Sequence, residues 1–313
     1  MKLSPGAQGL LRCPICHAPL RAEGAQLLCA QDHAFPVVDG VPVLINEANS
    51  VFDLSDYVAQ KPTTAQPVSA FKQALSRLMP DINENLTSDT NYRRYMRLLM
   101  RQNSTPRVLV IGGRIVGAGM QTALAHHEVE FVETDVAFGP RTALICDGHD
   151  LPFADESFDG VIIQAVLGNV LDPYRCVDEL HRVLKAGGLI YAETGFMQQV
   201  NVARYDFTRW THLGHRRLFR RFEEIRSGAA RGTGMALAWA GQYFFYSFIT
   251  SPRARLAART LARLTLFWLP MFDRLTIGRP GTLDGASGYY FLGRKSDTVL
   301  SDRELLQQYR GIL

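Results

Sequence analysis

The 313-residue sequence has no internal repeat and no low-complexity tract, which sets aside solenoids and disordered tails. Its amino terminus, MKLSPGAQGL, has no apolar core of signal-peptide length and is broken by Pro5 and Gly6. A cytoplasmic location is therefore expected. Cysteine is scarce: there are five, three of them within residues 13–29. That clustering points to a metal site in a reducing compartment, not to a disulfide framework. Cys146 and Cys176 lie in apolar strand and helix patterns and are expected to pack. Formal charge is absent from residues 232–252.

Charge is also unevenly placed. The net charge is +4 over the chain. Residues 1–199 hold 16 Lys/Arg against 22 Asp/Glu, and residues 200–313 hold 18 against 8. The carboxy-terminal third thus carries a positive field able to attract an anionic substrate or surface.

Three regions follow from the pattern. Residues 1–48 read as short strands around a Cys13-x-x-Cys16 knuckle, with Cys29 and His33 further on and a turn at Asp39-Gly40. Residues 49–105 read as a polar linker with Pro62 and Pro67, then helices over about 70–79 and 89–102, the second capped by Ser88 or Asp89. From Pro106 strands and helices alternate. RVLVIGG, VEFVETD, TALICD, FDGVIIQAV and LIYAET read as strands, and PYRCVDELHRVLKAGG as a helix over 173–188. That order predicts an α/β fold with a doubly wound, mostly parallel sheet over 106–313. FEEIRS (222–227) and GYYFLGRK (288–295) supply two last strands around a helical insert at about 229–286.

Cys13, Cys16, Cys29 and His33 make a Cys₃His set, and four protein ligands leave a zinc ion no open position. Such a zinc is structural. Together with the FPVVDGVPVL tail, these residues resemble the small zinc-ribbon partner subunit of certain tRNA and protein methyltransferases.

VLVIGGRIVGAG places a glycine-rich turn between strand and helix, where free N–H groups meet an anion. Asp135 ends the next strand and can hold a ribose. These features alone also fit a nicotinamide-dependent oxidoreductase. The ordered set CDGHDLPF, FDGVI and HRVLKAGG resembles class I S-adenosylmethionine-dependent methyltransferases, over roughly residues 107–195. The resemblance implies a Rossmann-like domain with S-adenosyl-L-methionine as cofactor. Gly112, Gly113 and Gly117 lie beside the methionine portion in this reading, and Asp135 at the ribose. Asp147, with Gly148 and His149, reaches the adenine, and Gln164 lines the methyl-donor pocket. Three departures stand out. Val110 replaces the usual acid of the first strand, the glycine turn is longer, and Gly168-Asn169 and Ala186 replace common family residues.

ARYDFTRWTHLGHRRL resembles an acceptor-binding element of some bacterial methyltransferases. Asp206 or His212 is the candidate base, and Tyr205 and Arg209 are candidate substrate contacts. The alternative is that Asp206 and Arg209 form a structural ion pair. Arg255, Arg259 and Arg263 form a basic stripe after an uncharged aromatic stretch. Residues 232–272 are therefore expected either to make a lid on the sheet or to touch a membrane peripherally. The expected acceptor is a glycan, a lipid-linked compound or a small molecule, with nucleic acid less favoured. Two rival readings are a catalytically inactive adaptor, which Val110 supports, and the oxidoreductase, which an unmet G-x-G-x-x-G disfavours.

Overall fold

A computed structural model describes residues 1–63 and 80–312. The helix expected over 70–79 lies outside the described residues. In the first 45 residues, β1 (Leu20–Glu23), β2 (Gln26–Cys29), β3 (Ala34–Val38) and β4 (Val41–Leu44) form an antiparallel meander. Asp39 (φ 50°) and Gly40 (φ 77°) take the left-handed conformations that a tight hairpin turn demands.

Past Pro106 come β5 (Arg107–Ile111), β6 (Glu130–Asp135), β7 (Leu144–Cys146), β8 (Phe158–Gln164) and β9 (Leu184–Gly195). The last two strands are β10 (Phe222–Arg231) and β11 (Gly288–Lys295). The spatial order is β7-β6-β5-β8-β9-β11-β10. All neighbours are parallel except β11, which runs antiparallel to both β9 and β10. This is the expected doubly wound sheet.

The sheet does not stop at the domain boundary. β4 pairs in parallel with β7, Val43 against Ile145 and Leu44 against Cys146, so one sheet of 11 strands runs from β1 to β10. Leu11 bridges Phe153, and the Arg12 N–H donates to the Pro152 carbonyl at 2.9 Å. The Leu-Pro-Phe segment therefore anchors the ribbon. Leu27, Phe35 and Leu44 bury into the same core as Leu109, Leu144 and Phe158.

Three elements differ from expectation. The helix Ser88–Gln102 is preceded by Thr87 at the N-cap, not Ser88 or Asp89. The helix from Pro173 ends at Val183, not 188. Leu184 is fully buried and pairs with Phe158, so the chain turns extended there and β9 starts early through a bulge. The insert holds two long helices of opposite character. Helix Thr233–Tyr246 buries Met235, Ala236, Ala238 and Gln242, as a lid would. Helix Pro252–Leu266 buries only Ala262.

Candidate functional site

The knuckle brings its four ligands together. Cys13 Sγ and Cys29 Sγ lie 3.5 and 3.3 Å from His33 Nδ1, and Cys16 Sγ lies 3.7 Å from Cys29 Sγ. All four ligand atoms fall within 4.8 Å of one another. A zinc tetrahedron with bonds of about 2.3 Å to sulfur and about 2.0 Å to nitrogen has edges of roughly 3.8 and 3.5 Å. These three separations are close to such edges, and the donor set of three thiols and one imidazole suits zinc. Its position follows from tight local turns: the His17 N–H donates to the Cys13 carbonyl, and His17 adopts φ 57°.

The carboxyl ends of β5, β6, β7 and β8 carry the expected cofactor residues. Gly112 turns at φ 77°, where a side chain would strike Val166. A Cβ at Gly117 would overlap the amide of Gln164. Gln164 itself is fastened: its Nε2 donates to the Ala118 carbonyl at 3.0 Å and its Oε1 accepts from Tyr92 Oη at 3.2 Å. Asp135 accepts from the Arg114 N–H at 3.1 Å and the Ala137 N–H at 3.0 Å, which ties the glycine turn to the end of β6. Burial raises the Asp135 pKa despite these partners. An ionised carboxylate has about four acceptor positions, so room for a ribose hydroxyl remains. Gly113 packs on Glu133, whose carboxylate pairs with Arg141. Val110 is buried in the core, so β5 offers no carboxylate at its position.

Asp147 is more heavily engaged than the sequence implied. It accepts from Ser50 Oγ at 2.6 Å, from His149 Nδ1 at 2.6 Å and from the His149 N–H at 3.1 Å. Burial opposes the charge on both Asp147 and His149. Their mutual bond overrides it, lowering the Asp147 pKa and raising that of His149. Asp150 accepts from Asn46 and Asn49 and pairs with Arg175. The segment after the ribbon therefore straps the loop that follows β7. It continues over β6: Tyr57 Oη and Thr63 Oγ1 both donate to the Val136 carbonyl, at 2.7 and 2.9 Å. Sequence reasoning missed this strap because Asn, Ser and Pro in a polar stretch carry the signature of any linker. The Asn46-x-x-Asn49-Ser50 cluster, next to a buried strand, was the available signal.

The strap also meets the acceptor side. Tyr205 Oη donates to the Thr63 carbonyl at 3.0 Å, and its ring stacks on Phe52 with centroids 5.7 Å apart. Asp206 and Arg209 are paired, with a second contact at 2.7 Å, and Arg209 also donates to the Gln198 and Gln199 carbonyls. Burial would raise the Asp206 pKa, but the guanidinium and two backbone N–H groups hold it low. An ionised carboxylate of low pKa is a weak base, so the pair acts as a staple of its loop. It still lines a cavity of about 410 Å³ together with Gln198, Val200, Phe207 and Tyr243. His212 does not line that cavity. Its Nε2 accepts from Arg310 at 3.1 Å and its ring lies against Tyr289. Burial and Arg310 push its pKa down to about 4. Asp206 and His212 are thus not brought together.

Glu193 was not anticipated. It is fully buried near the carboxyl end of β9, opposite Gln164 in register. It accepts from Tyr191 Oη at 2.5 Å and Asn85 Nδ2 at 2.8 Å, and pairs with Arg231.

With this geometry in hand, comparison with known proteins identifies the central part of the chain. Residues 108–192 match the family model of a methyltransferase domain, and this part of the chain is such a domain. The chain resembles a demethylmenaquinone methyltransferase from Clavibacter sepedonicus, at 57% identity over 44 residues, which is 14% of this chain and 18% of the relative. It also resembles an uncharacterized protein of Methanocaldococcus jannaschii, at 47% over 47 residues, 15% of this chain and 23% of the relative. The matches thus span less than a quarter of these relatives' lengths. Among solved structures, a putative sarcosine dimethylglycine methyltransferase from Galdieria sulphuraria aligns over 68% of this chain and 87% of its own. The identity there is 14% and the TM-score 0.45.

Proposed function

We propose that the protein transfers a methyl group from S-adenosyl-L-methionine to a glycan, a lipid-linked compound or a small molecule rather than to RNA. The observation that carries this reading is Asp135, a carboxylate at the tip of β6 bonded to the glycine turn inside the matched methyltransferase domain. The donor supplies a methyl already activated on a sulfonium, so the chain's task is alignment and exclusion of water. Asp135 binds the ribose. The Asp147–His149 pair and Ser50 border the adenine, and Gly112, Gly113 and Gly117 let the backbone approach the methionine portion. The strap residues Phe52 and Tyr57 exclude water from that side. Cys13, Cys16, Cys29 and His33 hold one structural zinc.

Calorimetric titration tests the reading. Asp135→Ala is expected to weaken S-adenosylmethionine binding by about 1.5–3 kcal/mol, the scale of a hydrogen bond to a charged group. Unchanged affinity would make Asp135 a structural acid that only ties the glycine turn to the end of β6. The buried Val110 and the crowded Asp147 favour a second reading, an adaptor whose pocket is empty of function. Wild-type protein that binds neither S-adenosylmethionine nor a nicotinamide cofactor would support it.

A further inference from the structure

Helix Pro252–Leu266 faces the wrong way for a lid. At 3.6 residues per turn, Leu256, Leu264 and Leu261 fall in one arc, and the buried Ala262 lies roughly opposite the centre of that arc. All three leucines are more than half exposed, at 65, 51 and 54%. A helix on a soluble surface normally turns this stripe inward. Trp268, just past the helix, is 47% exposed.

Charge accompanies the leucines on the same helix. Arg253 falls within their arc and is exposed, and Arg255 and Arg259 are exposed on the side nearer Ala262. Arg263, the third member of the stripe, instead turns inward to Asp81. No Asp or Glu occurs between Glu224 and Asp273. Outward leucines and exposed arginines on a segment that carries no acid of its own match the two layers of an anionic bilayer surface: acyl chains for the leucines, phosphates for the guanidinium groups. No helix among the described residues is long and apolar enough to cross a membrane.

We propose that helix Pro252–Leu266 and the turn behind it dock on an anionic lipid bilayer without spanning it. The neighbouring helix carries Tyr243, which lines the cavity beside Asp206 and Arg209. Docking sets that cavity near the lipid surface. The proposal stands independently of methyl transfer, because its readout needs no donor or acceptor.

The test is co-sedimentation of the full chain with vesicles of phosphatidylcholine alone and of phosphatidylcholine with phosphatidylglycerol. Binding to the anionic vesicles only is expected, falling as salt rises. Arg253→Glu/Arg255→Glu/Arg259→Glu should weaken it by about a hundredfold or more. Leu256→Ser/Leu264→Ser should also weaken it while leaving the melting temperature unchanged, since both side chains already face outward. Trp268 emission should be quenched by brominated lipid chains. Protein that stays in the supernatant with both vesicle types at low salt overturns the proposal. So does a dimer in light scattering that the leucine variant dissociates, because the face would then belong to a second copy of the chain.

Discussion

The two additions at the ends of the sheet solve the same problem in opposite ways. At one end the ribbon is too small to bury a core of its own. It therefore pairs β4 with β7 and sends Leu27, Phe35 and Leu44 into the main core. At the other end the insert between β10 and β11 keeps Leu256, Leu261 and Leu264 of its second long helix outside. An appended segment with fixed strand pairing becomes part of the fold. One attached by a helix face alone retains a surface for something else.

The largest expected effect is loss of metal. A chelator, or Cys13→Ser with Cys29→Ser, removes ligand bonds that stand in for most of the ribbon's core. Because the ribbon shares the sheet, the damage should spread. Hydrogen exchange is expected to rise first at β1–β4, then at β7, and last at β9. Elemental analysis should find one zinc per chain beforehand. No zinc, or zinc unaffected by the two substitutions, would overturn the site; a ribbon that opens while β7 stays protected would break the comparison.

Leu44→Ala asks the same question without touching the metal. Leu44 is fully buried where β4 meets β7, so the truncation should cost about 2–5 kcal/mol in a denaturant titration. A single transition for ribbon and sheet is expected; two separated transitions would show that they fold as independent units.

Acidity should separate the two ends by sign. His212 and His215 sit near β10 and β11, with pKa values lowered to about 4 and about 3, mainly by burial. The unfolded chain binds their protons first, so their contribution is complete above pH 6.5 and is lost as pH falls toward 4. The slope is at most about 1.4 kcal/mol per pH unit for each histidine. His149, on the ribbon side, is raised by Asp147. Its contribution is complete below 6.5 and is lost as pH rises through its higher folded value. His212→Gln should flatten the acid limb of a stability profile, and His149→Gln the limb above neutrality. Identical profiles for wild type and His212→Gln would show that His212 is not held neutral by its surroundings.

Much of this was legible in the sequence because it rests on local pattern. The knuckle spacing marked the four residues that the structure brings within 4.8 Å of one another. The alternation after Pro106 marked the parallel strands, and a strand-end acid marked Asp135. What was not legible depends on contacts far apart in the chain. Nothing in Asn46, Asn49 or Ser50 announces that they reach Asp147 and Asp150 about a hundred positions later. The Asp206–Arg209 pair was visible as a possibility, but only their shared burial decides that each satisfies the other. The arginine stripe was visible too, yet Asp81 draws Arg263 out of it.

The smallest effect is expected where sequence habit would put a large one. Leu256 is an apolar residue in the middle of an amphipathic helix, and a lid would make it a core position. Its side chain is 65% exposed and its helix buries Ala262 instead. Leu256→Ser in free protein should therefore change stability by no more than about 0.5 kcal/mol, the range for surface positions. Set beside Leu44→Ala in the same denaturant titration, the two leucines should differ by several-fold or more. A loss at Leu256 as large as at Leu44 would mean that this helix packs against the protein in solution, and the contrast between the two ends of the sheet would disappear.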